Sequence, residues 1–128
     1  MDFYFDENLP LRVANAINAL EEGEEDNIYH TEIAFERSIK DPDLYRKIKE
    51  KNGILVTNDL KMLTRKTEYD LIHSLEITVI FISLPSGASF ALRYRTIINK
   101  WEEIKQICRK NKHPFLCRIK MRGETEIW

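Results

Sequence analysis

Asn52-Gly53-Ile54-Leu55-Val56-Thr57-Asn58-Asp59 is the stretch that decides the fold. Asn-Gly stops a helix, a short buried-type strand follows at once, and the strand closes on a carboxylate. Upstream, Asp41-Pro42-Asp43 reads as a helix start. It has a capping acid, Pro in the first turn and a second acid near the positive end of the helix dipole. Leu44, Tyr45 and Ile48 of that helix are expected to face the core. A helix that runs straight into an apolar strand is the β-α-β alternation of a parallel sheet.

Working back to the amino terminus, Phe3-Tyr4-Phe5-Asp6 is another apolar run that ends on an acid. In an open parallel sheet the carboxyl ends of the strands open onto the ligand crevice, so Asp6 and Asp59 are expected to share one cleft. Carboxylates that close repel each other. Keeping both ionised at neutral pH calls for a cation, and all-oxygen ligands favour a hard one such as Mg²⁺ or Mn²⁺. Each acid also has a plainer reading. Asn8 is better placed than Asp6 to cap the following helix, which leaves Asp6 without an evident structural duty. Asp59 fits equally as the cap of a helix from Leu60, and Asp41 and Asp43 as ordinary helix-start acids.

The remaining chain continues the alternation. Leu11, Ala14, Ile17 and Leu20 recur at helical spacing, Asn27 to Thr31 reads as a short strand, and Glu32 to Lys40 as a loop or weak helical turn. Leu60 to Ser74 is a polar helical connection to a central strand, Ile77 to Ser83. Pro85-Ser86-Gly87 breaks the chain. A long amphipathic helix follows, with Phe90, Tyr94, Ile97, Ile98, Trp101, Ile104 and Cys108 on one face and mostly basic residues on the other. Phe115 to Met121, Arg122-Gly123 and Thr125 to Trp128 read as a closing hairpin. The expectation is one α/β domain over residues 1–128, a mainly parallel central sheet flanked by helices with a C-terminal hairpin.

Composition agrees with a compact domain: 43% hydrophobic and 32% charged over 128 residues suit a real core rather than a disordered chain. No apolar stretch reaches the roughly 20 residues of a membrane span. Met1-Asp2-Phe3 is acidic where a secretory signal is basic. A soluble protein of the cytoplasm is expected, and two cysteines, Cys108 and Cys117, suggest no disulfide framework. Charge is uneven: residues 1–50 carry 13 acids against 6 bases, and residues 84–128 carry 4 acids against 10 bases. Such a chain can pair an acidic metal-binding part with a basic surface for phosphates, or simply present two solvated faces.

A strand ending in Asp-Glu-Asn-Leu-Pro, an acidic helix start at Asp41-Pro42-Asp43-Leu44 and a strand ending in Val56-Thr57-Asn58-Asp59 occur in this order in PIN-like domains. The chain resembles their small VapC-type toxin branch. The later strand Val79 to Leu84, the helix carrying Trp101 and the hairpin from Pro114-Phe115 are similar as well. The resemblance implies a Mg²⁺- or Mn²⁺-dependent ribonuclease, the toxin of a type II toxin-antitoxin pair. RNA would be its substrate, with an antitoxin protein and a second copy of the chain as partners. It also implies Asp6, Asp41 and Asp59 as catalytic metal ligands, with Asp43 the substitute for Asp41. A metal ion in such a site turns water into a nucleophile at neutral pH and stabilises charge on the phosphate being cut. The chain departs from the pattern at the position of a fourth acid, which reads Ser83-Leu84-Pro85-Ser86.

Lys61, Arg65 and Lys66, just past Asp59, are candidate RNA-binding cations. Arg93, Arg95, Lys100, Lys105, Arg109 and Lys110 would extend that track along the long helix, or face solvent. Glu68 and Asp70 read as solvated helix residues, or as acids that reach the cleft from the connecting helix; Glu7 reads as secondary to the site, and His30 and His73 as structural. Cys108, His113 and Cys117 lack a fourth ligand for zinc. Trp101 reads as core. The alternative function is a catalytically inactive PIN-like module that binds RNA or a partner protein. A receiver-type phosphoacceptor also gathers acids at strand ends, but it needs a lysine after a late strand where Ser83-Leu84-Pro85 stands.

Overall fold

The structure, a computed structural model, describes residues 1–84, 87, 89–120 and 124–128. Its elements in chain order are β1 (Asp2–Phe5), α1 (Leu11–Leu20), β2 (Asn27–His30), α2 (Thr31–Ala34), α3 (Asp41–Glu50) and β3 (Ile54–Thr57). A 3-10 turn (Leu60–Leu63), α4 (Lys66–Leu75), β4 (Thr78–Ile82), α5 (Phe90–Lys110), β5 (Leu116–Ile119) and β6 (Glu126–Ile127) complete them. The six strands form one sheet in the order β2-β1-β3-β4-β5-β6. The first five are parallel to their neighbours, and β6 pairs antiparallel to β5 as the closing hairpin. The expected turn at Met121, Arg122 and Gly123 lies outside the described residues, as do Pro85 and Ser86 of the break after β4.

Alternation along the strands sorts the core into two layers. Phe3, Phe5, Val56, Ile80 and Ile82 pack under Val13 and Ile17 of α1 and Ile97, Trp101 and Ile104 of α5. Tyr4, Leu55, Val79, Phe81 and Leu116 face the other way, onto Leu44, Tyr45 and Ile48 of α3 and Ile72 of α4. Helices on both faces leave β3 and β4 buried at every residue, which is why their sequences are almost unbroken apolar runs.

Several local expectations are corrected. Asn8 does not cap α1: the helix begins at Leu11 behind Pro10 with no side-chain cap, and Asn8 turns its backbone N–H onto Asp6 instead. Lys40 holds the cap position of α3, so Asp41 lies inside the first turn, where its charge still meets the positive end of the helix. The connection after Asp59 is a 3-10 turn and a separate helix, broken at Thr64-Arg65. At Asn52-Gly53 it is Asn52 that takes the left-handed conformation, with φ 52°. Gly53 serves by its smallness, since a Cβ there would sit 2.5 Å from the Tyr4 ring. That ring is stacked between Tyr29 and Phe35.

The basic face of α5 is also smaller than its sequence suggests. Lys105 is buried, and its ammonium reaches Glu21 at 2.7 Å and Glu102 at 2.9 Å. Trp101 Nε1 donates to the same Glu21 oxygen at 2.8 Å. Burial alone would lower the Lys105 pKa, but its two carboxylate partners raise it on balance. Lys105 therefore neutralises a buried acid at the end of α1 and cannot belong to an RNA track. Arg109 is likewise paired with Asp26, and Lys100 with Glu103. On the apolar stripe, Phe90 and Ile98 are exposed while Ile97, Trp101, Ile104 and Cys108 are buried.

Candidate active site

The sheet order reverses at β1. From β1 the chain crosses through α1 on one face to β2, then returns through α3 on the other face to β3. Helices leaving on opposite faces open a crevice between the carboxyl ends of β1 and β3. Asp6 follows β1 and Asp59 lies just beyond β3, so strand order brings the two carboxylates to this crevice.

Asp6 is only 3% exposed. Its carboxylate accepts the Asn8 N–H at 3.0 Å and the Asn8 side-chain amide at 3.4 Å. The Thr57 hydroxyl donates to it as well, while accepting the Asp59 N–H at 3.0 Å. Burial nevertheless dominates, with the Asp59 charge adding to it, and the Asp6 pKa is pushed up to about 6. An acid held this way has a charge the fold does not balance.

Asp59 uses one oxygen to accept the Lys61 N–H at 3.2 Å, so it does cap the 3-10 turn. The other oxygen lies 3.3 Å from Arg65. Asp41, at the start of α3, stands close enough to Glu68 and Asp59 for both to raise its pKa, though its partial burial is the larger cause. Three of the four acids singled out in the sequence thus fall in a row, with Asp59 within charge-charge reach of Asp6 on one side and of Asp41 on the other. Asp43 does not: it is exposed and paired with Arg46 at 3.6 Å.

Two further residues join the cluster in roles that the sequence did not settle. Glu68, read as a solvated residue, comes to the cluster from the first turn of α4, where Tyr45 donates to it at 3.3 Å and Arg65 contacts it at 3.1 Å. Arg65 bridges Asp59 and Glu68, and these partners raise its pKa. Lys61 and Lys66 are exposed beside the cluster. Where the fourth acid of the resemblance was missed, Ser83 accepts a hydrogen bond from Arg118 Nε at 2.9 Å. Glu7 accepts from the backbone of Ser38, and Asp70 is exposed.

The donor set is all oxygen, which suits Mg²⁺ or Mn²⁺, and the unbalanced charge of buried Asp6 is what a cation would relieve. As placed, no three His, Cys, Asp or Glu side chains among the described residues stand around a single point. Arg65 accounts for part of this by holding Asp59 toward Glu68. Asp6, Asp59 and Asp41 offer the oxygen donors that such an ion takes, but as placed they do not surround one.

The other reactive-type residues have structural roles. His30 accepts the Glu32 N–H through Nδ1 and meets the Leu9 carbonyl through Nε2 at 2.7 Å. His113 contacts the Thr78 hydroxyl and the Cys108 carbonyl. Burial pushes the Cys108 and Cys117 thiols up to about 12, which makes them inert. A cavity of about 370 Å³ lies at the opposite edge of the sheet, between Met1, Gly53, Thr78 and His113, away from the carboxylates.

A parallel α/β sheet with acids at its switch point is a fold that several classes of phosphate-handling protein share. A family model described as a PIN like domain matches residues 1–84, and the chain belongs to that family. No curated protein and no solved structure matches the chain. No helix among the described residues is long and apolar enough to cross a membrane.

Proposed function

We propose that this chain is a Mg²⁺- or Mn²⁺-dependent endoribonuclease built as one PIN-like unit over residues 1–128, acting in the cytoplasm as the toxin of a type II toxin-antitoxin pair of the VapC kind. The observation that carries the reading is Asp6. The turn at Asn8 needs an acceptor there but not a charge, yet a buried carboxylate occupies the place, with Asp59 near it and Asp41 near Asp59 in turn.

Asp6, Asp59 and Asp41 would hold the ion, with Asp43 too far engaged with Arg46 to replace Asp41. When bound, the ion supplies charge neutralisation at the phosphate and a water acidic enough to attack it at neutral pH. Thr57 orients Asp6 through its hydroxyl. Tyr45 holds Glu68 as a further carboxylate near the ligands, a position from which it can accept the attacking water's proton. Lys61 and Lys66 receive backbone phosphates, joined by Arg65 once it leaves Asp59. The toxin role entails an antitoxin protein and a second copy of the chain as partners.

A second reading, an inactive PIN-like module that binds RNA or a protein, is favoured by Arg65, which already neutralises Asp59 and Glu68 without any metal. Hydrolysis of structured and single-stranded RNAs separates the two. The nuclease reading expects cutting with Mn²⁺, none with EDTA, and none from a folded Asp6→Asn variant. Metal-bound wild type that leaves every RNA uncut and does not arrest growth when expressed alone establishes the module instead.

A further inference from the structure

We propose that Arg118 and Ser83 form a phosphate-binding position that grips the RNA backbone beside the acidic cluster. The inference rests on the nuclease reading above and names residues that reading does not use.

Sheet register places the pair. Thr57 is level with Phe81, and Phe81 with Arg118, so one row runs from the Asp6 crevice across β3 and β4 to β5. Leu55, Phe81 and Leu116 all pack on the α3 and α4 side, and alternation puts Thr57, Ser83 and Arg118 on that same side. With strands roughly 4.8 Å apart, the Arg118 backbone lies about 10 Å from that of Thr57. Ser83, just beyond β4, is one strand nearer. Both are thus at the carboxyl edge of the sheet, on the face that holds the acids.

The hydrogen bonding leaves the right atoms available. Arg118 Nε donates to the Ser83 oxygen, which fixes the plane of the guanidinium. Among the described residues neither Nη atom has a hydrogen-bond partner, and the Ser83 hydroxyl keeps its own hydrogen to donate. Glu126, opposite Arg118 on β6, forms its ion pair with Lys120 and feels the Arg118 charge only as a lesser effect, so the Arg118 guanidinium is not held in an ion pair there. A half-buried, oriented guanidinium with a hydroxyl at its side matches the oxygens of a phosphodiester, which accepts in a fork geometry that Lys cannot reproduce.

Anisotropy of a labelled single-stranded RNA of about 12 nucleotides, in EDTA so that nothing is cut, tests the assignment across a salt series. Each phosphate contact on a single strand contributes about 0.7 to the slope of log affinity against log salt. Arg118→Gln is expected to weaken binding about tenfold and flatten the slope by about 0.7 with its melting temperature unchanged, whereas Arg118→Lys keeps the slope and loses only several-fold in affinity. Wild type that binds RNA with an affinity and slope shared by Arg118→Gln overturns the inference and leaves the nuclease reading standing. Wild type that shows no salt-dependent RNA binding overturns the nuclease reading, and the inference with it. Should Arg118→Gln fail to fold, Arg118→Lys decides: reduced affinity at unchanged slope supports the fork, and undiminished affinity overturns it.

Discussion

Asp6 should make the protein less stable as the pH rises through the weakly acidic range, which is the reverse of an ordinary ion-paired carboxylate. Its pKa is raised from 3.8 in the unfolded chain to about 6 in the folded one. Between those values the unfolded chain has released its proton and the folded chain has not, so raising the pH favours unfolding. A shift of about 2 units at about 1.4 kcal/mol each amounts to about 3 kcal/mol of stability, retained in full below the unfolded pKa and fully lost above the folded one. That is a large share of the 5–15 kcal/mol typical of a domain. Asp6→Asn keeps the size and one acceptor but cannot ionise. Relative to wild type it should gain about 2 kcal/mol in stability between about pH 4.5 and about pH 7.5, over any constant offset from altered hydrogen bonds. Urea unfolding followed by tryptophan fluorescence at both pH values measures the difference. Taking variant minus wild type cancels the other titrating groups. A difference that stays constant across this range would refute the claim that burial of the Asp6 charge dominates its environment.

Other outcomes follow from the same geometry. Mn²⁺ must meet Asp6 ionised, so its affinity by calorimetry should fall about tenfold per unit below about pH 6, and Asp6→Asn should remove that dependence. Lys105→Met leaves Glu21 buried without its cation and should cost about 3–5 kcal/mol in chemical unfolding, while Lys110→Met on the exposed side of α5 should stay within about 0.5 kcal/mol. Equal effects would return Lys105 to the solvated face. Gly53→Ala drives a methyl into the stacked Tyr4 ring and should cost about 1–3 kcal/mol, read as a lowered melting temperature.

What the sequence by itself determined was whatever depends on neighbours along the chain. Short apolar runs closed by acids marked β1 and β3, their alternation with Leu44, Tyr45 and Ile48 on a helix marked a parallel sheet, and the unbroken run at β4 marked a central strand. Those patterns are local because burial on two faces demands apolar residues at every position. Asp6 and Asp59 stood out as charges just past such runs, and Asp41 as an acid at a Pro-marked helix start. Tertiary structure alone decided the rest. Asn8 and Asp6 both offered an acceptor near α1, and only the turn geometry shows that Asn8 donates to Asp6 rather than capping the helix. Glu68 and Asp70 were equal candidates to reach the cleft or face solvent, and the packing of α4 against α3 set Glu68 beside Tyr45 and Asp41 while leaving Asp70 exposed. Lys105 belonged by spacing to a basic face and by contact to Glu21, 84 positions earlier in number but 2.7 Å away. Arg118 and Ser83 meet across neighbouring strands for the same reason. Charge partners are set by which faces pack together, and that pairing is a property of the folded sheet rather than of any window of residues.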